Sequence, residues 1–249
     1  MINSEIVELA AEINRIIRAK DELNMEVFKN EKNLKQSIAN ISHDFRTPLT
    51  SIIGYIQLLE KSKLDDNQKK YLHIICNKSY ELKNLADDFF ELSILEFKEM
   101  IPDLVKINVG NLLSNVILEN INLIEEYKLN ISINIDNAPI FIYADKYMLK
   151  RIFQNLISNA VKYSAGMISI SLSRDENAII KIKNSIDNNN IDTEKIFERF
   201  YKCDESRSKK GTGLGLSIVK LLTEKMNGDV NAKIINGYLE ISVKFPILK

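Results

Sequence analysis

At 249 residues the chain has room for one large or two modest domains, each able to bury a core. Lys+Arg and Asp+Glu both number 34, so no global field draws in nucleic acid or an anionic membrane surface. No apolar run reaches the roughly 18 residues of a membrane span, no signal-peptide pattern occurs, and Cys76 and Cys203 lie far apart without metal-ligand spacing, as reduced cytosolic thiols do.

Residues 1–36 contain neither Gly nor Pro and are predicted to be helical throughout. Leu9, Ile13, Ile16, Leu23, Val27 and Leu34 recur at coiled-coil spacing, with Lys20 and Asn30 interrupting the seam. This reads as a weak, adjustable signalling helix. It continues through Ser37–Leu59, where Leu34, Ile38, Ile41, Phe45, Leu49, Ile52, Ile56 and Leu59 fall within about 80° of one another. His43 falls roughly 160° from the middle of that stripe and is expected to point into water. Its neighbours are Asp44, Arg46, Thr47 and Pro48, which fits a reactive imidazole better than a packing one. The other histidine, His73, sits between Leu72 and Ile74 and reads as structural.

Ser62–Asn67 forms a polar turn before a second helix, predicted over Asn67–Lys98, with Leu72, Ile75, Leu82, Leu85, Phe89, Leu92 and Leu95 inside. A two-helix hairpin cannot cover such a stripe by itself. Two of them can, so a homodimeric four-helix bundle is expected. Pro102 then marks a boundary, dividing the chain into 1–36, 37–101 and 102–249.

Beyond it the pattern changes to a strand over Leu104–Val109, a helix over Gly110–Tyr127, and strands over Asn130–Asp136 and Ile140–Tyr143 around an Asn137–Pro139 turn. Asp145 caps a helix running to Lys162. A hairpin of Met167–Ser173 and Ala178–Lys183, a helix over Leu214–Met226 and a closing hairpin of Asp229–Ile235 and Tyr238–Phe245 complete an α+β two-layer sandwich, one sheet with helices on one face.

Two stretches of this second half suggest phosphate chemistry. Gly211-Thr212-Gly213-Leu214-Gly215 precedes a helix whose free amides and dipole favour an anion, although it is neither a Walker A loop nor a Rossmann fingerprint. Asn155 and Asn159 share a helix face four residues apart, their amide oxygens are hard neutral ligands suited to Mg²⁺, and Lys162 follows within reach of a phosphate.

The run His43-Asp44-Phe45-Arg46-Thr47-Pro48 resembles, without a gap, the phosphoacceptor box of the sensor histidine kinases of two-component signalling. The later stretches are similar to the ATP-binding domain those kinases share with gyrase-type ATPases. Asn155 and Asn159 match the N box, Phe197 and Phe200 the F box, and Gly211–Gly215 the second glycine box. The resemblance implies that His43, Asp44 and Thr47 are catalytic and that Asn159 and Asn155 hold Mg²⁺. It places ATP among Lys162, Tyr163, Asn184, Phe197, Phe200, Arg207, Lys209, Lys210, Gly211, Thr212, Gly213, Leu214 and Gly215. It further implies phosphotransfer to a response regulator, a water-positioning role for Thr47 in dephosphorylating it, and a cytoplasmic setting in which only a sensor segment ahead of this chain would reach a membrane.

One stretch departs from the family. Where an adenine-reading Asp and a Gly-x-Gly are expected, the sequence runs Ile180 to Asn190 without a glycine, Asn184 stands at the Asp position, and Asp187 lies three residues late. Asn184 can still accept from an adenine amino group, with less strength than a carboxylate. Two rivals follow: a catalytically impaired regulator acting as phosphatase or scaffold, and a gyrase-type ATPase working without His43.

Overall fold

The structure is a computed structural model and describes residues 4–95, 101–136, 138–187, 191–203 and 211–248. Helix α1, Ser4–Glu60, has 57 residues and so spans about 85 Å. It runs unbroken across Pro48, next to which the Thr47 and Ser51 hydroxyls donate back to the His43 and Thr47 carbonyls at 3.1 Å each. A turn reverses the chain into α2, Asp66–Leu95. Asp65 starts it with reciprocal bonds: its carboxylate accepts from the Gln68 N–H at 2.8 Å, and its own N–H donates to Gln68 Oε1 at 3.0 Å. The end predicted at Lys98 lies outside the described residues.

Within one chain the predicted α1 stripe divides, and one position shifts. Leu49 and Ile56 are buried against α2 together with Ile53, in place of the expected Ile52, with Leu72 and Phe90 from the other side. Leu34, Ile41, Phe45, Ile52 and Leu59 of α1, and Ile75, Leu82 and Phe89 of α2, remain exposed. A single neighbouring helix covers only part of a stripe this wide, so the inner face predicted for α2 is half open here. Gln57 to Tyr80 at 3.1 Å and Arg46 to Asp87 at 2.9 Å tie the helices at their flanks.

The second half is built on a five-stranded sheet. Strands β1 (Val105–Asn108) and β3 (Phe141–Ala144) pair antiparallel as a separate ribbon. The main sheet is ordered β2 (Asn130–Ile135), β4 (Met167–Arg174), β5 (Asn177–Ser185), β7 (Tyr238–Pro246), β6 (Asp229–Ile235), all antiparallel except β2 with β4. The adjacent segments β2 and β3, separated by the predicted turn, therefore do not pair with each other. Asn137 of that turn lies outside the described residues.

Helices α3 (Val109–Glu119), α5 (Lys146–Tyr163) and α6 (Gly215–Lys225) cover one face. The helix predicted over Gly110–Tyr127 breaks at Asn120, whose side chain donates to the Val116 carbonyl and whose backbone ends α3 before α4, Ile121–Glu126. Asp145 caps α5 as expected, accepting from the Tyr147 and Met148 amides at 2.9 and 3.1 Å. Below α5, Leu149, Ile152, Phe153, Leu156 and Ile157 meet Ile168, Ile170, Ile180, Ile182 and Val243, all fully or almost fully buried. Each such side chain contributes about 1.5–3 kcal/mol. Leu92 and Leu95 join the same core, so the end of α2 is packed onto the sheet domain.

Candidate active site

The sequence places α5 and α6 side by side over the sheet, and the space between their facing ends is a cavity of about 320 Å³. Asn155, Asn159, Lys162 and Tyr163 of α5 form one wall, Asn184 at the end of β5 the back, and Gly211, Thr212, Gly213 and Gly215 the other wall. Asn155 donates its amide N–H to the Arg151 carbonyl at 3.1 Å, which turns its oxygen toward α6. There a Cβ on Gly215 would sit 3.1 Å from that oxygen. Gly213 has φ +75, and a Cβ on it would come within 2.9 Å of the Phe200 backbone. Phe200 itself has φ +59 and donates its N–H to the Gly213 carbonyl at 2.9 Å, clasping the two loops together.

The first turn of α6 carries no side-chain cap, so its amides and the positive end of its dipole face the glycine loop. Asn184 is only 2 % exposed. Its amide nitrogen lies 3.5 and 3.3 Å from the Tyr163 and Ser185 carbonyls, and its oxygen has no partner among the described residues. The amide is thereby oriented as an acceptor toward the cavity. Burial raises the Tyr163 phenol above its ordinary value, so the ring stays neutral.

His43 lies apart from this cavity, on the helical hairpin. Its side chain is 79 % exposed, as the helical phase predicts, and its Nδ1 is 3.6 Å from Asp44 Oδ1. That distance is outside hydrogen-bond range. Thr47 spends its hydroxyl proton on the His43 carbonyl at 3.1 Å, leaving its lone pairs outward.

Residues 33–97 match the His Kinase A (phospho-acceptor) domain, and 144–248 match the histidine kinase-, DNA gyrase B- and HSP90-like ATPase domain. The sensor histidine kinase YcbM of Bacillus subtilis is 32 % identical over 91 % of this chain and 75 % of its own length. The chain belongs to the sensor histidine kinases. The sensor protein VanSC of Enterococcus gallinarum is 29 % identical over 98 % of the chain and 70 % of its own length. Among solved structures, full-length ShkA in complex with AMPPNP superposes with a TM-score of 0.71 at 26 % identity, covering 86 % of this kinase and 46 % of that chain. ThkA in complex with the response regulator TrrA shares the fold, at a TM-score of 0.61 and 23 % identity, with 84 % of this kinase and 60 % of that chain covered.

The kinase is thus an ATP-dependent histidine kinase with a helical hairpin preceding its ATPase domain. Among the described residues, no helix is long and apolar enough to cross a membrane. The cavity gathers ten of the residues singled out in the sequence: Asn155, Asn159, Lys162, Tyr163, Asn184, Asp187, Gly211, Thr212, Gly213 and Gly215. Three others stand outside its walls. Leu214 is fully buried in the core, Phe197 packs against that core, and Phe200 acts through its backbone with its ring 56 % exposed. Arg207, Lys209 and Lys210 lie outside the described residues. Ile196 and Tyr201 bound the one apolar run in a polar stretch of sequence, but sequence reasoning did not join them with Ile186 and Ile191 into a wall, an apolar side of the kind a base requires. Sequence reasoning also missed Asp88, which enters the cavity from α2.

Proposed function

We propose that this kinase phosphorylates its own His43 from Mg-ATP, acts as a homodimer, and passes the phosphoryl group to an aspartate of a response regulator. The exposed imidazole carries the reading: a ring on a bundle helix that touches no core is free to meet both a nucleotide and a partner protein. The neutral ring attacks the γ-phosphorus through the Nε2 lone pair. The bond to the β–γ bridging oxygen breaks, ADP leaves with that electron pair, and the Nδ1 proton passes from the product imidazolium to Asp44 or water.

Asn184 would accept from the adenine amino group, and the uncapped amides of α6 with Lys162 would hold phosphate oxygens. The Asn155 and Asn159 oxygens are the donors that would hold Mg²⁺, which when bound would offset the charge on the phosphates. The exposed faces of α1 and α2 fit a four-helix bundle with a second copy, and a protein of the same fold is known in complex with a response regulator. Thr47, with outward lone pairs one turn from His43, would orient water for dephosphorylation of the regulator. The domains for this assignment are 1–36 for signal relay, 37–101 for dimerisation and phosphotransfer, and 102–249 for ATP binding.

Incubation with ATP labelled in the γ-phosphate should give an acid-labile, base-stable label that His43→Ala abolishes. An unlabelled chain that still dephosphorylates a regulator would favour the phosphatase reading instead. The glycine-free stretch around Asn184 is the observation on that side.

A further inference from the structure

The wall of the nucleotide cavity contains one carboxylate from the other domain. Asp88, near the end of α2, uses both of its oxygens across the domain boundary. Oδ1 accepts from the Arg151 guanidinium of α5 at 2.7 Å, and Oδ2 accepts from the Thr212 hydroxyl at 2.9 Å. Glu91, one turn on, shares the Nη2 that Asp88 uses: its Oε2 lies 2.8 Å from Arg151 Nε and 2.7 Å from Nη2. The three side chains are only 16, 15 and 25 % exposed for Asp88, Glu91 and Arg151, so they are not loosely solvated surface ions. Two carboxylates against one guanidinium leave the cluster one negative charge in excess. Glu91 Oε1 is buried without a hydrogen-bond partner among the described residues.

The position of this cluster decides what it does. Thr212 belongs to the glycine loop, and its hydroxyl oxygen also accepts the Leu214 N–H at 3.2 Å at the start of α6. Its single O–H is spent on Asp88. A triphosphate approaching that loop meets a donor already taken and a carboxylate standing where its own charge would go. Docking of α2 onto the sheet domain and occupation of the loop by phosphate therefore oppose each other.

We propose that Asp88, with Arg151 and Glu91, is an autoinhibitory latch: it holds the ATP-binding domain against the hairpin by occupying the glycine loop, and a bound triphosphate releases it. Because linkage is reciprocal, whatever weakens the latch strengthens nucleotide binding by the same factor. The latch rests on the cavity being the ATP site.

The test is a titration of the whole chain with Mg²⁺ and a non-hydrolysable ATP analogue, beside hydrogen exchange of the α2 amides from 85 to 95. Asp88→Asn is expected to bind about tenfold more tightly than the native chain. Arg151→Gln, which breaks the latch outside the cavity by leaving two carboxylates without their cation, should shift affinity in the same direction. In the native chain the analogue should speed exchange at the end of α2, and in Asp88→Asn this segment should exchange fast with or without it. Unchanged affinity in both variants overturns the latch, as does native α2 exchange that the analogue leaves alone or slows. A shift in Asp88→Asn alone, with α2 exchange unmoved, reduces Asp88 to a local repulsive charge and also overturns it. If the native chain binds no analogue at millimolar concentration, it is the ATP reading that fails.

Discussion

The hairpin and the sheet domain solve the burial problem differently. In the sheet domain, α5 and β5 bury alternating or helically spaced side chains completely, and its core closes within one chain. In the hairpin, α1 buries Leu49, Ile53 and Ile56 yet leaves Ile41, Phe45, Ile52 and Leu59 in water. An apolar face of that extent on a helix needs a second surface. Within one chain the sheet domain closes its core, with Leu92 and Leu95 of α2 added to it, while the half carrying His43 leaves much of its apolar face in water.

Removing a buried ring from the sheet domain breaks the comparison hardest. Phe153→Ala should cost about 3–5 kcal/mol and lower the melting temperature of the nucleotide-binding half, while helical circular dichroism from the hairpin persists. Next, Phe45→Asp, an exposed position near the Phe90 ring, should leave each chain folded but halve the mass seen in sedimentation. A dimer of unchanged mass would contradict the assigned bundle face. Smaller again, Asn184→Ala should weaken ATP binding roughly fivefold and narrow the preference for ATP over GTP, read by competition titration.

The finest contrast is a pH slope of opposite sign in the two regions. Burial alone would raise the Glu240 carboxyl, but the Lys183 and Lys233 ammonium groups at 2.6 and 3.2 Å outweigh it and hold the carboxyl below its ordinary value. Its contribution is complete above the ordinary carboxylate value and is lost as pH falls through the lowered one. Glu240→Gln should flatten that loss in denaturant melts. Glu91, between the domains, is raised, because burial outweighs the Arg151 hydrogen bond and charge. Raising the pH from the ordinary carboxylate value up to that raised one charges Glu91 in place and weakens docking. Glu91→Gln should remove the dependence, read as α2 hydrogen exchange against pH.

Much of this was legible in the residues because it depends on neighbours close in sequence. The exposure of His43 follows from helical phase, the start of α5 from the Asp145 cap, and the loop ahead of α6 from its three glycines at Gly211, Gly213 and Gly215. The break at Asn120 was not legible, since the apolar spacing carries on through it. Nor was the pairing of β1 with β3 and of β2 with β4, for alternation specifies which face of a strand is buried but not which strand lies beside it.

Composition and spacing by themselves determined a helical hairpin ahead of an α+β sheet domain, a water-facing histidine on the first helix and a glycine loop before α6, all set by local geometry and apolar periodicity. Only the tertiary structure decided that Asn184 presents its oxygen, that Leu214 and Phe197 serve the core, and that Asp88 reaches the glycine loop from 124 residues away. Those are contacts between distant segments, and a carboxylate on a helix carries no local mark of the partner that folding will bring to it.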